Sequence, residues 1–211
     1  MKFILFILLS THIFSQVKYP ADSLLKSKNI HFIKKLGIAP ISIWQRISYN
    51  TTLFDCQFYP SCSNYGSEAI KDFGFLKGGF VVADRITRCN PFSYYYHLEL
   101  NRPFYEKDGR MIDTVHQKKV KKTSKSPLFA ALLSSVFPGL GRIYSGRVID
   151  GVLGMTNFFF VGSHAFKSLK NQNASISTIL SVVSFYLYGS EIYGAYRQAK
   201  YYQPEENLMS R

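Results

Sequence analysis

Acidic residues are scarce in this chain of 211 residues. Asp and Glu number 13 against 26 Lys and Arg, which leaves a formal net charge of +13. Charged residues of either sign make up 18%, below the roughly 25% of an average soluble protein. Few charges, mostly of one sign, argue against an ordinary soluble enzyme. They favour a protein that binds nucleic acid or an anionic membrane surface.

Recognisable catalytic motifs are absent as well. The sequence has no G-x-S-x-G, Walker A, H-E-x-x-H or dinucleotide-binding pattern. Asp84 and Glu68 each have a basic neighbour, so we expect them to form surface ion pairs. The sequence therefore predicts no enzyme, no cofactor and no catalytic residue. Disorder is excluded too, because 46% hydrophobic residues supply ample apolar surface for a core.

The positive charge is concentrated in the middle of the chain. Residues 18–125 carry 18 basic and 9 acidic side chains, whereas residues 126–211 carry 7 and 4. The two ends are apolar. This distribution predicts a membrane protein with a basic peripheral domain. It accounts for the basic residues without nucleic acid, which we do not expect as a partner.

Residues 1–17 are typical of a secretory signal peptide. Lys2 precedes an apolar core from Phe3 to Leu9, and Ser15-Gln16 offers a cleavage point. The alternative is a short anchor helix on the membrane surface, because the stretch is too short to span a bilayer core of roughly 30 Å.

Residues 24–53 alternate apolar and basic side chains, with a break expected around Gly37 and Pro40. Apolar side chains recur on one helical face beside a basic one, which is typical of an interfacial helix. The alternative is a helix that packs on its own domain. The candidates for facing the membrane are Ile43, Trp44, Arg46 and Ile47 and, further along the chain, Lys77.

A helical hairpin is predicted for residues 61–88. Ser61 is a good N-cap for the first helix, and Gly74 is suited to end it. The second helix is expected over residues 76–88, with its apolar side buried and its basic side outward. The apolar side comprises Leu76, Phe80, Val82, Ala83, Ile86 and Cys89, and the outward side Lys77, Asp84, Arg85 and Arg88.

The three cysteines, Cys56, Cys62 and Cys89, are spaced C-x5-C-x26-C. Zinc sites usually contain C-x2–4-C pairs, so the spacing indicates no metal site, even with His97 considered as a fourth ligand. In an exported domain two cysteines could form a disulfide and leave the third free. The favoured interpretation is packing of reduced cysteines as small apolar residues.

Residues 93–126 lack periodicity and end in a run of lysines between Lys118 and Lys125. This composition predicts a solvated basic linker that is attracted to anionic headgroups. The positive-inside rule favours the cytoplasmic face for these lysines and for the basic domain. A cleaved signal peptide would instead place both outside the inner membrane.

Residues 127–200 contain the candidate membrane helices. Uncharged stretches predict spanning helices at about 148–168 and 174–196. An interfacial or re-entrant helix is expected before them, at 127–141. The alternative is a buried helical hairpin in a soluble domain.

Between residues 40 and 92 the sequence resembles the YidD family of membrane protein insertion efficiency factors. The resemblance rests on W-Q-R-I-S from Trp44, on C-x-F-x-P-S-C-S-x-Y from Cys56, and on R-I-x-R-C-N-P from Arg85. After Phe92, the stretch S-Y-Y-Y-H-L-E-L-N departs from the family pattern. The residues that match the family motifs are Cys56, Phe58, Pro60, Ser61, Cys62, Ser63, Tyr65, Arg85, Arg88, Cys89 and Pro91.

This resemblance implies a small, largely helical protein on the inner-membrane surface, bound through an N-terminal amphipathic helix. The implied role is to assist the Sec translocon and the YidC insertase when proteins enter the membrane. The implied partners are anionic lipids, YidC, the Sec translocon and nascent membrane proteins.

The C-terminal region resembles small two-transmembrane-helix domains that begin with a P-G-x-G-x-x-Y-x-G motif. We expect Arg142 and Arg147 beside this motif to lie at headgroup level. The motif residues are Pro138, Gly139, Gly141, Tyr144 and Gly146.

These patterns together predict an all-α protein, with a small helical membrane-surface domain followed by a transmembrane helical hairpin. The expected segments are 1–17, a YidD-like domain over 24–92, the linker 93–126, and a two-transmembrane-helix domain over 127–200. The expected location is the inner membrane, with multiple passes. The expected function is assistance to membrane-protein insertion. The alternatives are an exported, membrane-anchored structural or thiol-containing module and, ranked last, a membrane-perturbing protein.

Overall fold

The computed structural model describes residues 19–51, 56–117 and 124–203. The predicted signal peptide or anchor at 1–17, and Lys118 to Lys122, lie outside these ranges. The described residues form α1 (Pro20–Lys26), α2 (Phe32–Ser48), β1 (Phe58–Tyr59), α3 (Cys62–Phe73), α4 (Phe75–Thr87), α5 (Ser93–Glu99), β2 (Met111–Ile112), α6 (Pro127–Val136), α7 (Leu140–Tyr144), α8 (Val148–Lys170) and α9 (Ala174–Tyr201). The prediction of a mostly helical protein is confirmed.

Helix α2 runs through Pro40 without interruption, so the predicted break near Gly37 and Pro40 is wrong. The buried face of α2 holds the helix in place, because Gln45 accepts from the Ala21 amide at 3.0 Å and donates to Asn64 Oδ1 at 2.9 Å. One buried amide side chain thus connects α1, α2 and α3, and this tertiary support outweighs the local effect of a proline.

Helices α3 and α4 form the predicted hairpin. Ser61 Oγ accepts from the Asn64 amide at 3.4 Å, and Gly74 adopts a φ of +81° between the two helices. Tyr65 and Ala69 on α3 and Val81 on α4 are fully buried in one apolar cluster. The predicted N-cap at Ser61 and the predicted helix end at Gly74 are therefore confirmed.

The expected solvated linker is partly folded, which corrects the prediction for residues 93–126. Strand β2 pairs in parallel with β1, so that Met111 lies beside Phe58. Met111, Asp113 and Val115 are all buried. Two-residue strands leave no periodicity in the sequence, and the partner of β2 lies about 50 residues earlier in the chain.

The C-terminal third contains α6 to α9, with α9 packed against α4, α6, α7 and α8. Pro138 and Gly139 separate α6 from α7, and Gly139 has a φ of +93°. The single interfacial or re-entrant helix expected at 127–141 is therefore two shorter helices. Ala130 and Ser134 of α6 are buried, whereas Leu128, Leu132 and Val136 are exposed.

Helices α8 and α9 match the two predicted C-terminal helices in position but not in character. Throughout the described ranges, no helix combines the length and the apolar character required to cross a bilayer. The predictions of a transmembrane hairpin and of a multi-pass inner-membrane protein are accordingly wrong. Frequent Ser, Gly, Asn and Tyr residues lower the hydropathy of both helices, and Asp150 and Glu191 are buried within them.

We expect Gly78→Ala to destabilise the protein by about 1–3 kcal/mol, the usual cost of overpacking a core. A Cβ at this position would lie 2.7 Å from Ile70 Cα and 2.8 Å from Ala69 O, both backbone atoms of α3. The free energy of unfolding in urea measures the effect. Gly162→Ala in α8 is the control, because its added methyl would meet only the mobile Ser184 Oγ, at 3.3 Å. Equal stability of the two variants would contradict the proposed close approach of α3 and α4.

Candidate functional site

The core of the protein is organised around the fully buried carboxylate of Asp84 on α4. Its Oδ1 lies 2.8 Å from Arg142 Nη1, and its Oδ2 lies 3.2 Å from Arg88 Nε. Arg197 on α9 approaches Oδ2 at 3.4 Å. A single acidic group therefore pairs with guanidinium groups from three parts of the chain.

A second buried carboxylate, Asp113, continues this network. Its Oδ2 lies 2.9 Å from both Arg85 Nη1 and Arg88 Nη1. The hydroxyl of Tyr202 donates to Asp113 Oδ1 at 2.8 Å. Arg88 thus bridges the two carboxylates, and the segment after β2 is fixed to the end of α9.

Glu191 and Asp150 extend the charged core into the C-terminal helices. Arg142 Nε lies 2.8 Å from Glu191 Oε2. Arg147 Nε lies 2.7 Å from Asp150 Oδ2, and Asn90 donates to Asp150 Oδ1 at 2.7 Å. The C-terminal helices are in this way bonded to the turn that follows α4.

The prediction of an outward cationic side on α4 is wrong for two of its three basic residues. Arg85 and Arg88 are buried, and only Lys77 lies on the surface. Asp84 is buried rather than at the surface, and Arg142 and Arg147 are buried rather than exposed at headgroup level. The reason is that partners distant in sequence compensate the buried charges, which helical periodicity does not reveal.

The electrostatics of the network follow from its pairing. Burial by itself raises the pKa of Asp84, but Arg88, Arg142 and Arg197 together hold that pKa at about 2. Asp113 behaves in the same way, since Arg88 and Arg85 outweigh its burial and lower its pKa. For Glu191 the effect of burial is larger than that of Arg142, so its pKa is raised.

Family-motif residues supply several contacts around this network. Arg85 Cζ lies 4.2 Å from the centre of the Phe58 ring, and Pro60 O accepts from Arg85 Nη2 at 3.0 Å. The hydroxyl of Tyr65 bonds to Arg197 Nη1 at 3.0 Å, and Ser63 Oγ lies 3.4 Å from Gln45 Nε2. Pro91 is exposed at the turn before α5.

The residues of the predicted C-terminal motif are structural. Pro138, Gly139 and Gly141 are buried between α6 and α7, and Tyr144 packs edge-on against Phe129 at 5.1 Å. Gly146 has a φ of +86° in the turn after α7, a backbone conformation that favours glycine.

The three cysteines converge, although 5 and 26 residues separate them in sequence. Their sulfur atoms all lie within 4.8 Å of one another, and Cys56 Sγ is 3.6 Å from Cys62 Sγ. Each cysteine is half-buried, so the favoured interpretation as separate apolar packing residues misses their mutual contact. His97 is not among them, because its Nε2 bonds to Pro103 O at 2.9 Å.

The outer face of α2 carries an unusual surface. Its six large apolar residues there are each at least 46% exposed, and they recur on one side of the helix. This apolar stripe includes three of the four membrane-facing candidates on α2, and the fourth, Arg46, is exposed beside it and paired with Asp22 at 2.8 Å. The apolar stripe consists of Phe32, Ile33, Leu36, Ile43, Trp44 and Ile47.

Exposed apolar surface continues from α2 towards the C-terminal helices. Phe75 lies directly against Gly37 of α2, and its ring meets Tyr186 of α9 edge-on at 5.8 Å. Beyond Tyr186, the first half of α9 exposes Ile176, Ile179, Val182, Val183 and Phe185, and α8 exposes Phe159, Phe160, Phe166 and Leu169. The protein thus buries several paired charges and leaves many apolar side chains exposed on its surface.

The described residues define a helical protein with a charged core and an extended exposed apolar surface. The family model for YidD, described as "Putative membrane protein insertion efficiency factor", matches residues 33–96. A relative of that name from Listeria monocytogenes is 43% identical over 60 residues, which cover 28% of this chain and 68% of the relative. Another from Clostridium perfringens is 45% identical over 60 residues, which cover 28% of this chain and 87% of the relative.

The chain therefore belongs to the YidD family, as its cysteine and arginine motifs indicated. The matched region ends within α5, and it contains all three cysteines and every residue of the apolar stripe except Phe32. It does not contain Asp113, Arg142, Glu191 or Arg197. No solved structure matches the chain.

The sequence patterns did not indicate several charged residues of the buried network. Asp113 stands in a stretch without periodicity, and Glu191 and Arg197 stand in a helix that was expected to lie in lipid. One signal was available, because an acidic side chain such as Glu191 within a long, mostly uncharged helix needs a partner.

We expect Asp84→Asn to destabilise the fold by about 3–5 kcal/mol, because it leaves three buried guanidinium groups without their shared counter-charge. Chemical denaturation followed by circular dichroism measures the loss. Asp108→Asn is the matched control, since that carboxylate pairs with Arg110 on the surface. The control should leave the free energy of unfolding nearly unchanged. An equally small effect at Asp84 would show that the network is not required for stability.

We also expect stability to fall as the pH is lowered from about 5 towards 2. The pKa of Asp84 is about 2 in the folded protein against an ordinary value of 3.8, so the unfolded chain binds protons first. Asp113 acts in the same direction, and the raised pKa of Glu191 opposes both. Urea unfolding at a series of pH values tests this, and a flat profile between about pH 5 and 3 would contradict it.

Proposed function

We propose that this protein assists the insertion of proteins into a bacterial membrane. It does so by presenting the apolar stripe of α2 to the lipid surface, where client segments enter. The observation that carries the proposal is this stripe, since five of its six residues lie within the region that matches the family model. The names of the relatives from Listeria monocytogenes and Clostridium perfringens refer to the same process.

The geometry of α2 supports a surface-lying role. One side of the helix is fixed to α1 and α3 through Ile38 and Gln45, which are fully buried. The opposite side carries the apolar stripe, with the exposed Arg46 beside it. A helix anchored in this way is preorganised for an apolar partner. Folding has already fixed its backbone, so binding costs little further conformational entropy.

Basic side chains lie where they can contact anionic headgroups. Arg46 borders the apolar stripe, and Lys77 lies on the surface of α4 near the rings of Phe73 and Tyr193. Each exposed cation near an anionic membrane contributes on the order of 1 kcal/mol to the binding free energy. The apolar side chains contribute further when they are buried in lipid. Anionic lipids are therefore the proposed first partner.

The Sec translocon, the YidC insertase and nascent membrane proteins are the proposed protein partners. An apolar surface beside the bilayer is suited to an emerging hydrophobic segment, because it shields that segment from water without a specific sequence. The exposed apolar residues of α8 and α9 enlarge this surface beyond the family region.

We expect Ile33→Ser combined with Leu36→Ser to weaken binding to anionic vesicles by at least tenfold. The two side chains together lose several apolar contacts with lipid, worth roughly 1.5–3 kcal/mol for each fully buried residue. Both residues are more than half exposed, so the fold should remain intact. Vesicle co-sedimentation measures binding, and translocation of a test membrane protein into inverted vesicles measures insertion.

The matched control is Tyr95→Ser combined with Leu98→Ser. These residues are also exposed and apolar, but they lie on α5, away from the apolar stripe. The control should bind vesicles and support insertion like the unaltered chain. Normal insertion by the α2 variant, at equal protein level, would refute the proposed role of the apolar stripe.

A further inference from the structure

We propose that Cys56, Cys62 and Cys89 form a binding site for one thiophilic metal ion, zinc(II) in the first place. This site goes beyond the proposed function and does not depend on it. The three cysteines are the whole complement of the chain, and all three sulfur atoms are in one cluster. Among the residues that the structure describes, no histidine or carboxylate joins them.

The sulfur geometry suits a metal ion. Zn–S bonds of about 2.3 Å in a tetrahedral site separate the sulfur atoms by about 3.8 Å. Cys56 and Cys62 are 3.6 Å apart, and every pair lies within 4.8 Å. Small side-chain rotations therefore suffice to bring three thiolates to ligand distance. Solvent or another donor completes the fourth position, which is the arrangement of an open zinc site.

Polar groups around the cluster are arranged to support thiolate ligands. Gln57 Nε2 lies 3.6 Å from Cys89 Sγ and donates to Asn90 O at 3.0 Å. The carbonyl of Asn90 thus orients the amide so that its N–H group faces the sulfur. Hydrogen bonds of this kind fix metal ligands and stabilise their charge.

The local charge is also favourable for thiolates. Cys62 is the first residue of α3, and the partial positive charge of a helix N-terminus stabilises an anionic sulfur.

An entry path leads to the cluster. Cys62 lines a mostly apolar surface groove of about 280 Å³ together with Trp44, Val82 and Ile86. Because all three cysteines are half-buried, an ion can reach the sulfur atoms without opening the core. A disulfide between Cys56 and Cys62 would use only two of the sulfurs and would leave Cys89 and its amide donor without a role.

Cobalt(II) is the probe for the test. The full chain is purified under reducing conditions, stripped with a chelator and titrated with Co²⁺ in the absence of oxygen. We expect one Co²⁺ per chain, an ultraviolet sulfur-to-cobalt charge-transfer band, and displacement of that band by Zn²⁺ with release of thiol protons. Each Cys→Ser variant should weaken Zn²⁺ binding by more than about 100-fold, and Gln57→Ala by about 10–100-fold.

His116→Ala is the control, because His116 Nε2 lies 2.9 Å from Asp72 Oδ2 on the surface, and such a pair can hold an adventitious ion. This variant should bind Co²⁺ unchanged. Absence of the charge-transfer band in the folded, reduced chain would overturn the proposal, as would a band that survives Cys56→Ser. A Cys56–Cys62 disulfide in the native chain, with no band after reduction, would also overturn it. If a Cys→Ser variant loses its helical circular dichroism, Gln57→Ala decides the question.

Discussion

The carboxylate of Asp84 holds the protein together, because it is the point at which three separate parts of the chain meet. Burying an unpaired carboxylate or guanidinium costs several kcal/mol, so each of its arginine partners has to arrive in place for any of them to be buried. Arg142 and Arg197 come from the C-terminal third, and Arg88 comes from the hairpin that carries the family motifs. The family region and the C-terminal helices therefore share one core.

This charged core explains the surface. Helix α9 uses its second half to bury Glu191 and Arg197, while its first half exposes apolar side chains. Helix α2 likewise buries Gln45 and exposes Trp44. The buried charges compensate one another, whereas the exposed apolar side chains are in contact with water, which disfavours them. Such a surface has a physical reason only if an apolar partner covers it, which is the basis of the proposed function.

Local signals were reliable where a single residue decides the structure. Ser61 caps α3 and Gly74 ends it, because a hydroxyl can accept from an orphan amide and glycine tolerates a positive φ. Prediction failed where the deciding partner was distant. Arg85 and Arg88 have the spacing of a solvated side, yet Asp113, 25 or more residues later, draws both into the core. The predictions of a solvated linker and of spanning helices failed for the same reason, because the partners of their buried residues lie far away in the sequence.

By itself, the sequence determined the helical class, the capped hairpin and membership of the YidD family. These depend on residue types, on short spacings and on motifs that lie within about 50 residues. Only the tertiary structure decided which charges are buried and that three distant cysteines meet. It also decided that the C-terminal helices pack on the family region. The reason is that burial and convergence depend on contacts between segments far apart in the chain, and no local pattern encodes such contacts.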